Sequence, residues 1–455
     1  MNESVLSDFK APTINEIAAN RVLSNTVFKN IFQGIIERDE RGVTQRFSTD
    51  VSGAQIRIIK VNPVKQFARR LGAAVNGGNF PISAYEGSTD SFGLDVLDVL
   101  DTPFDLANVT REMIPVDLLS AYIESYTGKV NRAINGMTLA GKFYATALKD
   151  AKGEEVNITK YEDGDNFRTA IVNANSLLDE GIEEMDVDAF PMEGRCFTIQ
   201  AKYRPTLLDQ GVLVLGGANL GYEIIESGTV SAGAVPTKLE NGYIGIVDGV
   251  PCHTVSSVVY KEASKYLGLP KGDVEEAVGC ISSHLANVRG IAAPNQIKII
   301  DSPMGQGLRV QPLTRLGFTV LPGYEKGNSF IMKKDYVSPY ASLKTLFGLS
   351  DYSMFSVVPE GSRIELGTTA TASAGSVTVT SPKAIKIAIV LDTEDKVKGV
   401  SDFATLFAAS ATTAKSSTAT SGTAVSLSSV KAGNIVKVLA LAADGTCELI
   451  SVKAA

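Results

Sequence analysis

Apolar side chains recurring at three- and four-residue steps define the longest element of this chain. Leu119, Tyr122, Ile123, Tyr126, Val130, Ile134, Met137, Gly141, Tyr144 and Leu148 share one face of a helix predicted over residues 115–149. At 1.5 Å per residue such a helix is roughly 50 Å long, about twice the ordinary length. Pro115 suits the first helical turn, where its missing N–H removes only an unpaired donor. Asp117 complements the positive end of the helix dipole. Gly128, Gly136 and Gly141 each cost helix propensity, so they are expected where another element packs closely. A rod of this length braces an extended shape, which points to a building block rather than a catalyst.

Upstream, residues 1–45 read as an arm. Thr13 and Glu16 form a capping box at a helix start. Behind it Ile17, Leu23, Val27, Phe28, Ile31, Phe32, Ile35 and Ile36 draw an apolar stripe that ends at a charged turn over 37–42. That stripe lies on its own domain or on a neighbouring subunit; Phe28, Ile31 and Phe32 are its interface candidates. Residues 46–113 read as a long β-hairpin loop. Ile56-Arg57-Ile58-Ile59-Lys60-Val61 alternates as a half-buried strand does, a turn-rich tip follows with Gly72, Gly77, Gly78 and Pro81, and the chain returns over 91–101. A hairpin of this size does not bury both faces on itself. Lys65, Arg69 and Arg70 near the tip oppose in sign Asp95, Asp98 and Asp101 on the return, so both sets are subunit-interface candidates. The aspartates, with Asp105, are spaced for a helix face or a solvated edge rather than for a calcium loop.

Downstream, residues 150–300 mix helix and strand. Helical spacing covers 165–184, a strand over 195–199 leads into a helix over 203–210, and residues 242–255 form two strands turning at Asp248-Gly249. Residues 227–236 read as a loop and 279–290 as a short helix. Strands return over 296–300, 308–313 and 318–321, with turns at 304–307 and Pro322-Gly323. After Gly361 the composition shifts. Nineteen of the 22 residues over 408–429 are Ser, Thr, Ala or Gly, which makes them a loose loop between strands expected at 384–391, 434–441 and 446–452. That tail reads as a small all-β domain appended to the rest.

Charge and chemistry narrow the function. A formal net charge of −7 argues against a main task of gripping nucleic acid, and leaves open a wall beside DNA that does not adhere to it. The four cysteines, Cys196, Cys252, Cys280 and Cys447, form no Cys-x-x-Cys pair, so neither a disulfide framework nor a zinc cluster is expected. Residues 1–10 are polar and lack the apolar core of a signal peptide, and no run has the length of a membrane span. His253 and His284 are the only histidines and read as structural. Gly216-Gly217 with Gly221 imitates a dinucleotide turn but departs from its spacing and leads into a loop. Glu183, Glu184, Asp186 and Asp188 read as a solvated loop. No catalytic, cofactor or metal residues emerge, and the chain reads as a non-enzyme.

The order of these blocks, with the segments Asn241-Gly242-Tyr243-Ile244-Gly245-Ile246-Val247-Asp248-Gly249-Val250-Pro251 and Ser302-Pro303-Met304-Gly305-Gln306-Gly307-Leu308-Arg309-Val310-Gln311-Pro312-Leu313, resembles the tailed-bacteriophage major capsid protein family, the Hong Kong 97-like fold. The resemblance covers roughly residues 1–360 and implies an α+β capsid fold. Its parts would be an N-terminal arm (1–45), an extended β-hairpin loop (46–113), a peripheral domain with the spine helix (114–189), an axial domain (190–295) and peripheral return strands (296–360). Residues 361–455 would decorate that core and be dispensable for shells. It implies self-assembly into hexamers and pentamers of an icosahedral shell around packaged double-stranded DNA, without sequence-specific binding. Minor capsid or decoration proteins, a portal and a scaffolding protein would be partners, and no membrane. The virion capsid would be its location, assembled in the bacterial host cytoplasm. Two other readings are a secreted or surface adhesive protein with a β-rich C-terminal module and a nucleotide-using enzyme; a cellular compartment shell of the same fold is closer kin.

Overall fold

The computed structural model describes residues 44–48, 55–61, 87–93, 95–97, 104–105, 116–180, 194–211, 243–292, 296–301, 308–321, 323–358, 360–373, 375–409, 414–417 and 430–455. Among the described residues five strands precede the long helix: β1 (Thr44–Ser48), β2 (Gln55–Val61), β3 (Gly87–Gly93), β4 (Asp95–Leu97) and β5 (Phe104–Asp105). β2 and β3 pair antiparallel, with Ile56 opposite Phe92 and Val61 opposite Gly87. The return of this hairpin starts at Gly87, earlier than expected, because Gly87-Ser88-Thr89-Asp90 carries no apolar alternation.

Helix α1 (Val116–Lys152) runs unbroken for 37 residues, about 55 Å at the standard rise. Lys149 and Lys152 in its last turn complement the negative end of the dipole. Ile134 and Met137 of the predicted stripe are buried, and Tyr144 and Leu148 pack at the margin of the same core. The central sheet that α1 covers begins with β6 (Asn157–Tyr161). Next come α2 (Phe167–Glu180), β7 (Arg195–Gln200) and the short α3 (Arg204–Asp209). Then β8 (Tyr243–Val247) and β9 (Val250–Val255) join through Asp248 and Gly249, both at positive φ, as a two-residue hairpin turn requires.

α4 (Ser257–Leu267) and α5 (Lys271–Glu275) lead into β10 (Ala277–Ser283) and β11 (Asn287–Ala292). This corrects the short helix expected over 279–290: the segment is two strands and a turn. β10 is buried along its whole length, so its sequence shows no strand alternation. β12 (Gln296–Asp301) and the 13-residue β13 (Leu308–Val320) follow, then β14 (Asn328–Lys333) and α6 (Pro339–Phe347). The two strands expected over 308–313 and 318–321 are one.

The central sheet has the order β6-β14-β10-β7-β9-β8. Alternate residues of its inner strands feed two different cores. Ala277 and Cys280 of β10, with Phe330 and Met332 of β14, face α1, α4 and α6. Val278, Ile281 and Ile331 face α2 and α3, where Phe167, Ile171 and Leu207 are fully buried. A second sheet has the order β1-β11-β13-β12, and β13 is its hub. One half of β13 pairs with β12 and β5, the other with β11 and β4. Pro312 falls between the stretches facing β5 and β4, where a missing N–H breaks no pairing with either.

The C-terminal residues add the hairpin β15 (Thr369–Ser373) and β16 (Ser376–Thr380). They also add β17 (Ala384–Leu391), α7 (Val400–Ala409), β18 (Ala414–Ser417), β19 (Ile435–Ala442) and β20 (Cys447–Lys453). The sheet β18-β17-β19-β20 matches the three strands expected there. Two expectations are corrected. The module is not all-β, because α7 buries Val400 and Phe403 at helical spacing. Nor is it an independent appendage. Ile387, Ile389, Val436 and Val438 form its own core under β15 and β16. Ala388, Val390, Leu439 and Leu441, from the opposite face, belong to the core of α1, α4 and α6.

Candidate functional site

Gly136 and Gly141 let α1 lie against two other elements. A side chain at Gly136 would come within 2.8 Å of Glu262 Cβ on α4, and one at Gly141 would enter the ring of Phe318 on β13. Hydroxyls fasten the C-terminal half of α1 further: Ser338 donates to Ala147 O at 2.6 Å, Tyr352 to Ala151 O at 2.7 Å, and Tyr144 to Phe355 O at 2.7 Å. The close packing expected of these two glycines is thereby observed. α4 was not foreseen, although Val259, Tyr260, Ala263, Tyr266 and Leu267 carry helical spacing and are buried.

Of the predicted interface residues, Asp95 stands on β4 opposite Leu316; Asp105, weighed with the other aspartates as a metal ligand, stands on β5 opposite Arg309. Both lie on strands, which replaces the helix face weighed for them. Phe28, Ile31, Phe32, Lys65, Arg69, Arg70, Asp98 and Asp101 lie outside the described residues, as do Gly216, Gly217 and the acids of 183–188.

His253 is fully buried on β9, opposite Thr198 and Tyr243. His284 occupies the turn after β10, its ring pressed on Gly194 and its backbone N–H donating to Gly194 O at 3.1 Å. β7 separates these two strands in the sheet order. All four cysteines are buried, and none is joined in a disulfide. Burial pushes the Cys280 thiol up to about 12 and Cys252 well up, so both are neutral thiols rather than nucleophiles. Among the described residues no group of three His, Cys, Asp or Glu is placed to hold a metal, and no helix is long and apolar enough to cross a membrane.

The described surface carries hollows, one of them near α1 and another near the C-terminal module. One, of about 380 Å³, lies between α1, β13 and Ser356-Val357, with Leu148, Phe318 and Val357 in its wall. At its rim Lys149 pairs with Glu154 and Glu325, each at 3.5 Å. The other, of about 490 Å³, is lined by Arg363, Glu365 and Lys383. The Arg363 guanidinium already donates to the carbonyls of Tyr266 (2.6 Å), Asp444 (3.1 Å) and Ser356, so it is occupied in holding the chain rather than a ligand. Neither lining combines a nucleophile, a base and a group to orient them. Asp273 and Glu276, the acids pushed furthest up among the described residues, lie in neither hollow but beside the C-terminal module.

No protein-family model matches the chain, and no curated protein matches its sequence. Solved structures similar to it include the mature capsid of bacteriophage PhiM1 (TM-score 0.41, 15% identity, covering 66% of this chain and 87% of that one). Another is the capsid of Ralstonia phage GP4 (TM-score 0.41, 11% identity, 62% and 84% covered). A third is the capsid of Helicobacter pylori bacteriophage KHP30 (TM-score 0.37, 12% identity, 62% and 81% covered).

Proposed function

We propose that the chain is a major capsid protein of a tailed double-stranded DNA bacteriophage, self-assembling through hexamers and pentamers into an icosahedral shell. The observation that supports it most is one continuous layout. The β2–β3 hairpin leads into a 37-residue helix, and the long strand β13 pairs back onto β4 and β5 at the foot of that hairpin. Such a frame transmits load along its length and presents long edges to neighbours, which suits a wall. The arm and the hairpin tip would reach adjacent copies, with Lys65, Arg69 and Arg70 meeting acids there. Many modest contacts then sum to a stable shell, because closed symmetry engages all of them together. The adhesive reading is not favoured, since residues on either side of the Ser/Thr-rich stretch, Phe403 and Leu439 among them, share the main core. Sedimentation of the purified full-length chain tests the proposal: species of five or six copies or larger support it, and a monomer at all concentrations contradicts it.

A further inference from the structure

The joint between the central sheet and the C-terminal module is built around a carboxylate from one and a helix start from the other. Asp273 of α5 is fully buried, and its Oδ1 accepts the N–H of Val400, the first residue of α7, at 2.7 Å. An unpaired donor of α7 is thus capped by a residue 127 positions away. The backbones meet closely here. A side chain on Gly272 would strike the Lys398 carbonyl, and one on Gly399 would come within 2.9 Å of Asp273 Cγ. Asp273 Oδ2 is shut off from solvent without a hydrogen-bond donor. Glu276 Oε2, three residues on, is in the same condition. Two buried oxygens without donors are costly as charged carboxylates, and a proton on each removes that charge.

We infer that Asp273 and Glu276 form a proton-operated latch on α7: protonated they hold the helix start against the central sheet, and ionised they loosen it. The charges around them fit. Like charge comes from Asp402 in the first turn of α7, whose Oδ2 accepts the Lys398 N–H at 2.9 Å. Opposite charge reaches Glu276 from Lys333 at the end of β14 and from Lys160 on β6. Lys160 is itself shared with Asp150 and Asp335 and donates to Tyr336 O at 2.8 Å. Tyr336 and Cys447 border the acids as neutral groups, their burial keeping both protonated. Burial, with the Val400 N–H opposing it, pushes Asp273 up to about 7; burial and the neighbouring acids push Glu276 up to about 8. Both are raised above their unfolded values, so the folded chain holds protons that the unfolded chain releases. The stability they confer is fully present below the ordinary carboxylate range and is lost as pH rises through about 7 and about 8. Other ties stay in place as α7 loosens, among them Cys447 N–H to Gly268 O at 2.7 Å, which confines the change to the helix. The latch lies within one copy of the chain, so it operates whether or not copies assemble.

Hydrogen–deuterium exchange on the full chain, corrected for intrinsic rates, tests it. From about pH 6 to about pH 9, protection over residues 400–409 is expected to fall on the order of tenfold while α2 keeps its protection. Asp273→Asn with Glu276→Gln, which keeps the Val400 cap and supplies donors, should abolish that fall. Equal protection of α7 at both pH values, an equal fall in α2, or a fall that persists in the double variant overturns the latch. If the double variant does not fold, Glu276→Gln alone leaves the cap intact and must shrink the fall; an unchanged fall overturns it equally.

Discussion

The ring of Phe318 on β13 fills the notch that Gly141 leaves in the long helix α1, so that the ring packs directly on the helix backbone. A residue that weakens the helix thereby fixes where the helix sits on the second sheet.

Gly141→Ala should therefore destabilise the chain. The gain in helix propensity is about 1 kcal/mol. Against it stands the cost of forcing a methyl into an aromatic ring in a packed contact, about 1 to 3 kcal/mol. A net loss in urea unfolding is expected, and paired Phe318→Leu should recover part of it. A stabilised Gly141→Ala variant would mean that the notch is not needed.

Removing residues 362–455 should abolish soluble folded protein, contrary to the expectation from sequence that the tail is dispensable. The truncation strips Ala388, Val390, Val397, Val400, Phe403, Leu439, Leu441 and Cys447 from the main core. At about 1.5 to 3 kcal/mol for each large apolar side chain, the loss is on the order of 10 kcal/mol, comparable with the whole stability of a domain. Soluble yield and circular dichroism of the truncated chain read this directly; a folded truncation would contradict the shared core.

Charge reversal of Arg69 and Arg70 together should impair assembly while the chain remains folded, if these residues pair with acids of an adjacent copy. Normal particles from that variant, seen in the same preparation conditions as the parent chain, would remove the ion pair from the account. Increasing salt should weaken the parent assembly in the same direction.

How much of this was legible beforehand follows from which physics each segment expresses. α1 announced itself because a long amphipathic helix repeats one signal many times. The turn at Asp248-Gly249 did so because positive φ at both positions restricts the residue types. β17, β19 and β20 stood out as apolar runs against a polar background. β10 was misread as helix because both its faces are buried, which erases alternation. β6 and β14 are short strands, and β6 pairs with β14 far along the chain. The Asp273 cap on Val400 joins residues 127 apart, and no local pattern announces such a contact. α7 was legible in Val400, Phe403 and Phe407 but hidden by the low-complexity stretch that begins inside it. Of the interface candidates, only Asp95 could be placed on an element.

The central claim is that copies of this chain build a shell. Negative-stain electron microscopy of the purified chain, alone and co-expressed with neighbouring genes from its source, tests this most directly. Closed shells, tubes or capsomer rings are the predicted result. Single chains under both conditions, with no ordered assembly at any concentration, would contradict it.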